Sequence, residues 1–162
     1  MGYRCHVCNE EHDALPDIGA EYPDPWYGID ASERERRVKW NPDLCRLDGT
    51  DFFIRGVIEI PLVDAPGKFA FGVWVSQAPQ NFQTYVENFD SAEIGPFFGW
   101  LCTKIRFYET DTTHLKTMAH FRAGKQRPLI EVEPTEHPLA LDQRNGITLA
   151  KAWEIMHFYQ KR

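Results

Sequence analysis

Cys5, Cys8, His12 and Cys45 are the residues whose types and spacing bear most directly on chemistry. Two thiols separated by two residues, as in RCHVCNEEH over 4–12, can chelate one ion from a tight turn. His12 follows Cys8 at a distance that lets its imidazole swing back to the same ion, and it is preferred to His6, which lies between the two cysteines. A structural zinc site needs four ligands in a tetrahedron. Cys45 is the remaining thiol placed to close the set, so the expected cofactor is zinc on Cys5, Cys8, His12 and Cys45. Such an ion would contribute on the order of 10 kcal/mol to holding the surrounding chain together.

Two other chemistries use the same residues. A metal-dependent hydrolase would bind zinc through Cys5, Cys8 and Cys45, leave water in the fourth position and use His12 as a proton shuttle. Three thiolates make the zinc electron-rich, which opposes activation of that water. A redox dithiol at Cys5 and Cys8 would need the motif to open a helix, whose dipole lowers the first thiol's pKa. Here Asn9-Glu10-Glu11 follows, and the two carboxylates disfavour a thiolate. Cys102 lies in the apolar run FFGWLCTKI and is expected to be a buried, inert thiol.

Beyond the cysteines the chain has no Gly-rich phosphate loop, no G-x-S-x-G and no H-E-x-x-H. A site elsewhere would draw on Asp142-Gln143-Arg144-Asn145 and on His114, His120 and His137. Asn145-Gly146 suits a helix C-cap, however, and Asp142 to Arg144 suit a solvated helix end. Tyr22, Trp26 and Tyr27 fall in a Pro-rich loop that either packs over the core or offers partners a contact surface.

The elements that must position these groups change character near residue 50. The prolines of PDIGAEYPDPW exclude regular structure over 16–26. Ser32-Glu33-Arg34-Glu35 has the form of a capping box that opens a short charged helix running to about Lys39, and Asn41-Pro42-Asp43 is a turn. FFIRGVIEI (52–60) alternates with period two, and FAFGVWV (69–75) is apolar on both faces, so the two form an antiparallel pair at the sheet centre. Residues 79–89 place Phe82, Tyr85, Val86 and Phe89 on one helical face. Three further strands are expected over 97–105, 115–122 and 128–133. A short helix over 137–144 and a longer one after the Thr148 N-cap follow, the latter turning Leu149, Ala152, Trp153, Met156 and Tyr159 towards the sheet.

The expected fold is α+β: about five mainly antiparallel strands, helices packed on them, and a small zinc-bound amino-terminal lobe. All 162 residues are expected to form one domain, with 1–50 as the metal-binding lobe and 51–162 as sheet and helices. A chain of this length buries about two-thirds of its unfolded surface. With 43% hydrophobic residues it is too apolar to be disordered, and no apolar run approaches the roughly 20 residues that a bilayer requires. The net charge of −6 opposes binding to nucleic acid or anionic membranes. Without a signal-peptide pattern the expected location is cytoplasmic, and the expected partner is a protein or a small molecule.

Several of these stretches also carry a family resemblance. Cys5, Cys8 and His12, followed by FFIRGVIEIP (52–61), FGVWVS (71–76), FFGWL (97–101), LKT (115–117) and RPLIEVEPTEHPLALDQRNGIT (127–148), are similar in type and order to the uncharacterised bacterial family designated domain of unknown function 2199. The resemblance implies a complete single-domain bacterial protein and carries no activity or catalytic residue with it. The role expected on these grounds is a zinc-stabilised binding or interaction module.

Overall fold

The computed structural model describes residues 18–160, together with the backbone of two short strands, β1 (Tyr3–Arg4) and β2 (Glu11–His12). These two pair antiparallel, Tyr3 opposite His12. After them come helices α1 (Asp24–Tyr27) and α2 (Ala31–Arg37), then strands β3 (Val38–Trp40), β4 (Leu44–Leu47), β5 (Asp51–Pro61) and β6 (Lys68–Gln77). Helix α3 (Pro79–Glu87) leads to β7 (Phe97–Trp100), β8 (Lys116–His120) and β9 (Leu129–Val132), and the described chain ends with α4 (Pro138–Asn145) and α5 (Leu149–Gln160).

The main sheet has seven strands, with β3-β4-β5-β9-β8-β7 along one path and β6 on the free side of β5. Five were expected, and the two additional strands, β3 and β4, come from the stretch assigned to the metal lobe. The charged helix stops at Arg37 because Val38 and Trp40, β-branched and aromatic, suit a strand better than a helix. The Asn41 side chain then turns the chain by accepting hydrogen bonds from the backbone N–H groups of Asp43 and Leu44, both at 2.8 Å. The Ser32 capping box does not form: the helix opens at Asp30, with no side-chain cap.

The expected hairpin pair is in place, Ile54 opposite Val75 and Ile60 opposite Phe69. Period two sends Ile54, Ile58, Ile60, Phe69, Phe71, Val73 and Val75 into the main core, all at most 1% exposed. Each such side chain contributes about 1.5–3 kcal/mol by leaving water. Tyr85, Ala152 and Ile155 cover this core from α3 and α5. Val86, expected on the inner face of α3, is 40% exposed.

The sheet curls until its ends meet. Val75 of β6 bridges Leu101, Cys102 N–H donates to Trp74 O at 2.8 Å, and Trp100 N–H donates to Ser76 Oγ at 3.0 Å. The expected strand over 97–105 therefore ends at Trp100, beyond which the chain leaves β8 and follows β6 irregularly. Gly99 permits this closure, since a Cβ there would sit 2.2 Å from Ser76 O. At the other side of the ring β9 pairs with β5 only at Val57, and the Gln143 side chain takes over from there. Its Oε1 accepts from Val132 N–H at 2.8 Å and its Nε2 donates to Ile130 O at 2.9 Å. Among the described residues no helix is long and apolar enough to cross a membrane.

Candidate functional site

The segment after residue 17 is tied by its backbone to the free edge of β6, where Ile18 forms a parallel bridge with Phe71. Ala20 N–H donates to Gly72 O at 3.2 Å, and the Trp74 indole N–H donates to Ala20 O at 2.9 Å. Three residues on, the prolines flanking Asp24 limit the chain to one short helical turn, with Pro23 ahead of it and Pro25 within it. Asp24 then joins this segment to the one following β7: its N–H donates to Cys102 O and its Oδ2 accepts from Lys104 N–H, both at 2.8 Å.

The chain at 103–106 alternates. Thr103 and Ile105 are buried, while Lys104 and Arg106 are exposed. Thr112 fixes the buried pair, its hydroxyl donating to Thr103 O at 2.9 Å and accepting from Ile105 N–H at 2.8 Å. Both cations are thereby held on the solvent side of a pinned backbone. Tyr159 of α5 closes the arrangement by accepting from Phe107 N–H at 3.4 Å.

Between these segments lies a cleft of about 550 Å³, in which Tyr22, Asp24, Tyr27, Lys104, Arg106 and Tyr159 supply the polar lining. Burial raises the Asp24 carboxyl above its ordinary value, and the Lys104 N–H offsets this only in part. Burial also raises Tyr27 and Tyr159, so both hydroxyls keep their protons at neutral pH. Neither Lys104 nor Arg106 is in an ion pair among the described residues. Beside the cleft, Tyr22 stacks on Trp26 at 3.7 Å between ring centroids, and the Arg34 guanidinium lies 3.6 Å from the Trp26 ring centre. Among the described residues no Ser, Cys or His lines the cleft, and Thr103, the threonine found there, already accepts from Trp74 N–H at 2.9 Å. The set can bind and orient a ligand, but it holds no nucleophile paired with a base.

The residues singled out by sequence are dispersed. Cys5, Cys8 and His6 lie outside the described residues; His12 is described only as backbone in β2. Cys45 is fully buried on the outer face of the sheet, in an apolar cluster with Ile29, Leu47, Phe53, Trp74 and Cys102. Burial pushes its thiol up to about 12 and that of Cys102 to about 11. Among the described residues no group of three or more His, Cys, Asp and Glu side chains is gathered closely enough to hold a metal ion. His137 caps α4, its Nδ1 accepting from Leu139 N–H at 3.0 Å while Nε2 donates to Asp111 O at 3.0 Å. His114 stands apart at a positive φ of 68°.

His120, Gln143 and Arg144 do share an open groove, with Glu59 and Glu131, where His120 Nε2 lies 2.9 Å from Glu131 Oε1. Gln143 is occupied there by β9, so its amide is structural. Nor is Asp142 a solvated helix end: its carboxylate accepts from the Tyr108 hydroxyl at 2.7 Å and pairs with Lys151 at 2.8 Å, at 13% side-chain exposure. Asp24, Lys104, Arg106 and Tyr159 were not candidates from sequence, although the T-K-I-R alternation carried a signal that was read as strand.

The family model for uncharacterised proteins conserved in bacteria, DUF2199, matches residues 4–147, and the chain belongs to that family. No curated protein and no solved structure matches it.

Proposed function

We propose that this member of a family without an assigned activity is a binding module whose site is the tyrosine-lined cleft between residues 19–27 and 103–106. The observation that carries the proposal is the convergence, around a cleft of about 550 Å³, of two cations in no described ion pair with Tyr22 and Tyr27 of one segment and Tyr159 of α5. The volume falls in the range of small-molecule sites. Every anchoring contact described above goes to backbone, so the lining is preformed rather than recruited by the ligand. Amide chemical-shift mapping of the labelled protein against a small-molecule panel tests this: ligands should move Tyr22, Tyr27 and Lys104 together, and Tyr27→Ala should abolish the response. Hits that map elsewhere would overturn it.

A structural zinc on Cys5, Cys8, His12 and Cys45 is retained as part of the proposal. The sequence favours metal over redox chemistry: Asn9-Glu10-Glu11 follows the cysteine pair, and the two carboxylates disfavour the thiolate that a redox dithiol needs. To close such a site Cys45 would have to meet the other ligands inside its apolar cluster, with the zinc carrying the thiolate charge. Metal content of protein purified without chelator, compared with Cys8→Ser and Cys45→Ser, is the test. Loss of zinc from the Cys8 variant alone would leave Cys45 as a core residue.

A further inference from the structure

We infer that the ligand of this cleft carries an oxyanion, a phosphate or a carboxylate, bound between Lys104 and Arg106; this rests on the cleft being a binding site at all. Three observations lead there. First, the two cations stand two residues apart on a backbone whose buried residues, Thr103 and Ile105, are pinned by Thr112, so both side chains leave a fixed stretch of chain. An ammonium and a guanidinium that leave the same side of one short backbone stretch can both donate to a single oxyanion.

Second, the one carboxylate in the lining is already engaged. Asp24 Oδ2 accepts from the backbone N–H of Lys104 itself, which holds the carboxylate against the loop backbone. With Lys104 and Arg106 against the single carboxylate of Asp24, the described lining has a positive excess, on a chain whose overall charge is −6. Third, Tyr22 and Tyr27 add hydroxyls to the lining, and a tyrosine hydroxyl can donate to an oxyanion while its ring flanks the planar or apolar body attached to it. A neutral or cationic ligand would leave the positive excess of the lining unanswered.

The test uses the full chain and three probes that share a ring and differ in charge: phenyl phosphate, benzoate and benzyl alcohol. Titration calorimetry is run alongside amide shift mapping. Phenyl phosphate or benzoate should bind and move Tyr27, Lys104 and Arg106, and whichever is tighter identifies the oxyanion. Affinity should fall about tenfold for Lys104→Ala and again for Arg106→Ala, as for loss of charge-assisted hydrogen bonds. It should also fall with added salt. Both side chains are exposed, so the variants should melt with wild type, and Lys39→Ala, an exposed cation on β3, should bind as wild type does. Benzyl alcohol binding in the cleft as tightly as the anions would overturn the oxyanion inference and leave the binding site standing. No shift with any probe would overturn both. Equal loss of affinity in Lys39→Ala would reduce the effect to general charge and likewise overturn the inference.

Discussion

On their inner side β5 and β6 present Ile54, Ile58, Ile60, Phe69, Phe71 and Val73 to the main core, while on their outer side the same strands present Phe53, Arg55 and Trp74 to residues 18–37. The inner side asks only for volume, and almost any close-packed aliphatic set answers it. The outer side is specified by directional contacts. Trp74 donates to Ala20 O, Arg55 donates from its NH1 to Pro42 O at 3.1 Å, and Cys102 and Lys104 exchange hydrogen bonds with Asp24. Packing on one side thus supplies stability, and hydrogen bonding on the other supplies the position of the cleft. Damage to the two sides should therefore be separable.

Ile58→Ala should show the largest effect, lowering the unfolding free energy by about 3 kcal/mol in urea denaturation, as for a fully buried large-to-small change, while the folded fraction keeps its affinity for cleft ligands. Gly99→Ala should come next, at about 2 kcal/mol, because the added methyl forces β7 away from Ser76 and opens the ring. Trp74→Phe should cost about 1 kcal/mol through the lost bond to Ala20, yet weaken cleft binding more than either core variant, since it releases the segment carrying Tyr22 and Asp24. If Trp74→Phe were as damaging as Ile58→Ala and bound normally, the two sides would not be distinct.

Thiol reactivity sharpens the same contrast. With their thiols raised to about 12 and about 11, Cys45 and Cys102 should resist an aromatic disulfide reagent at pH 8 until the protein unfolds. If Cys45 is a zinc ligand, adding chelator should expose it together with Cys5 and Cys8; a Cys45 that stays protected is a core residue only.

The smallest effect concerns two carboxylates with opposite linkage. Burial raises Asp24, so its folded state favours the proton and its cost to stability, present at neutral pH, disappears as pH falls through the raised value to the ordinary 3.8. The Arg37 hydrogen bond lowers Asp48, so its contribution is present above 3.8 and is lost as pH falls through the lowered value. Urea midpoints against pH should therefore move wild type up relative to Asp24→Asn on acidification, and down relative to Asp48→Asn.

Much of the inner side was legible in the sequence because hydrophobic periodicity reports burial directly. The β5–β6 pairing, the Gly146 stop at φ 82° and the Thr148 cap, which accepts from Lys151 N–H at 3.1 Å, all follow from local chemistry. The outer side was much less legible. Alternating burial at 103–106 is the same whether the backbone pairs as a strand or runs irregularly along β6, so Lys104 and Arg106 passed as strand exterior. Asp24 sits between prolines, where the residue pattern reports only a turn; its partner Lys104 is distant in sequence and brought close by ring closure. For Cys45, spacing cannot distinguish a thiol that awaits a metal from one that fills a gap beside Trp74.

The Gln143 amide has a consequence for solubility. Where β5 stops pairing, β9 would otherwise offer bare backbone to any other extended chain, a template for edge-to-edge aggregation. A single side chain reproduces the donor and acceptor of a neighbouring strand at Ile130 and Val132, without the length or the repeat that a second molecule could extend. Growth of the sheet is thereby terminated by one residue of α4.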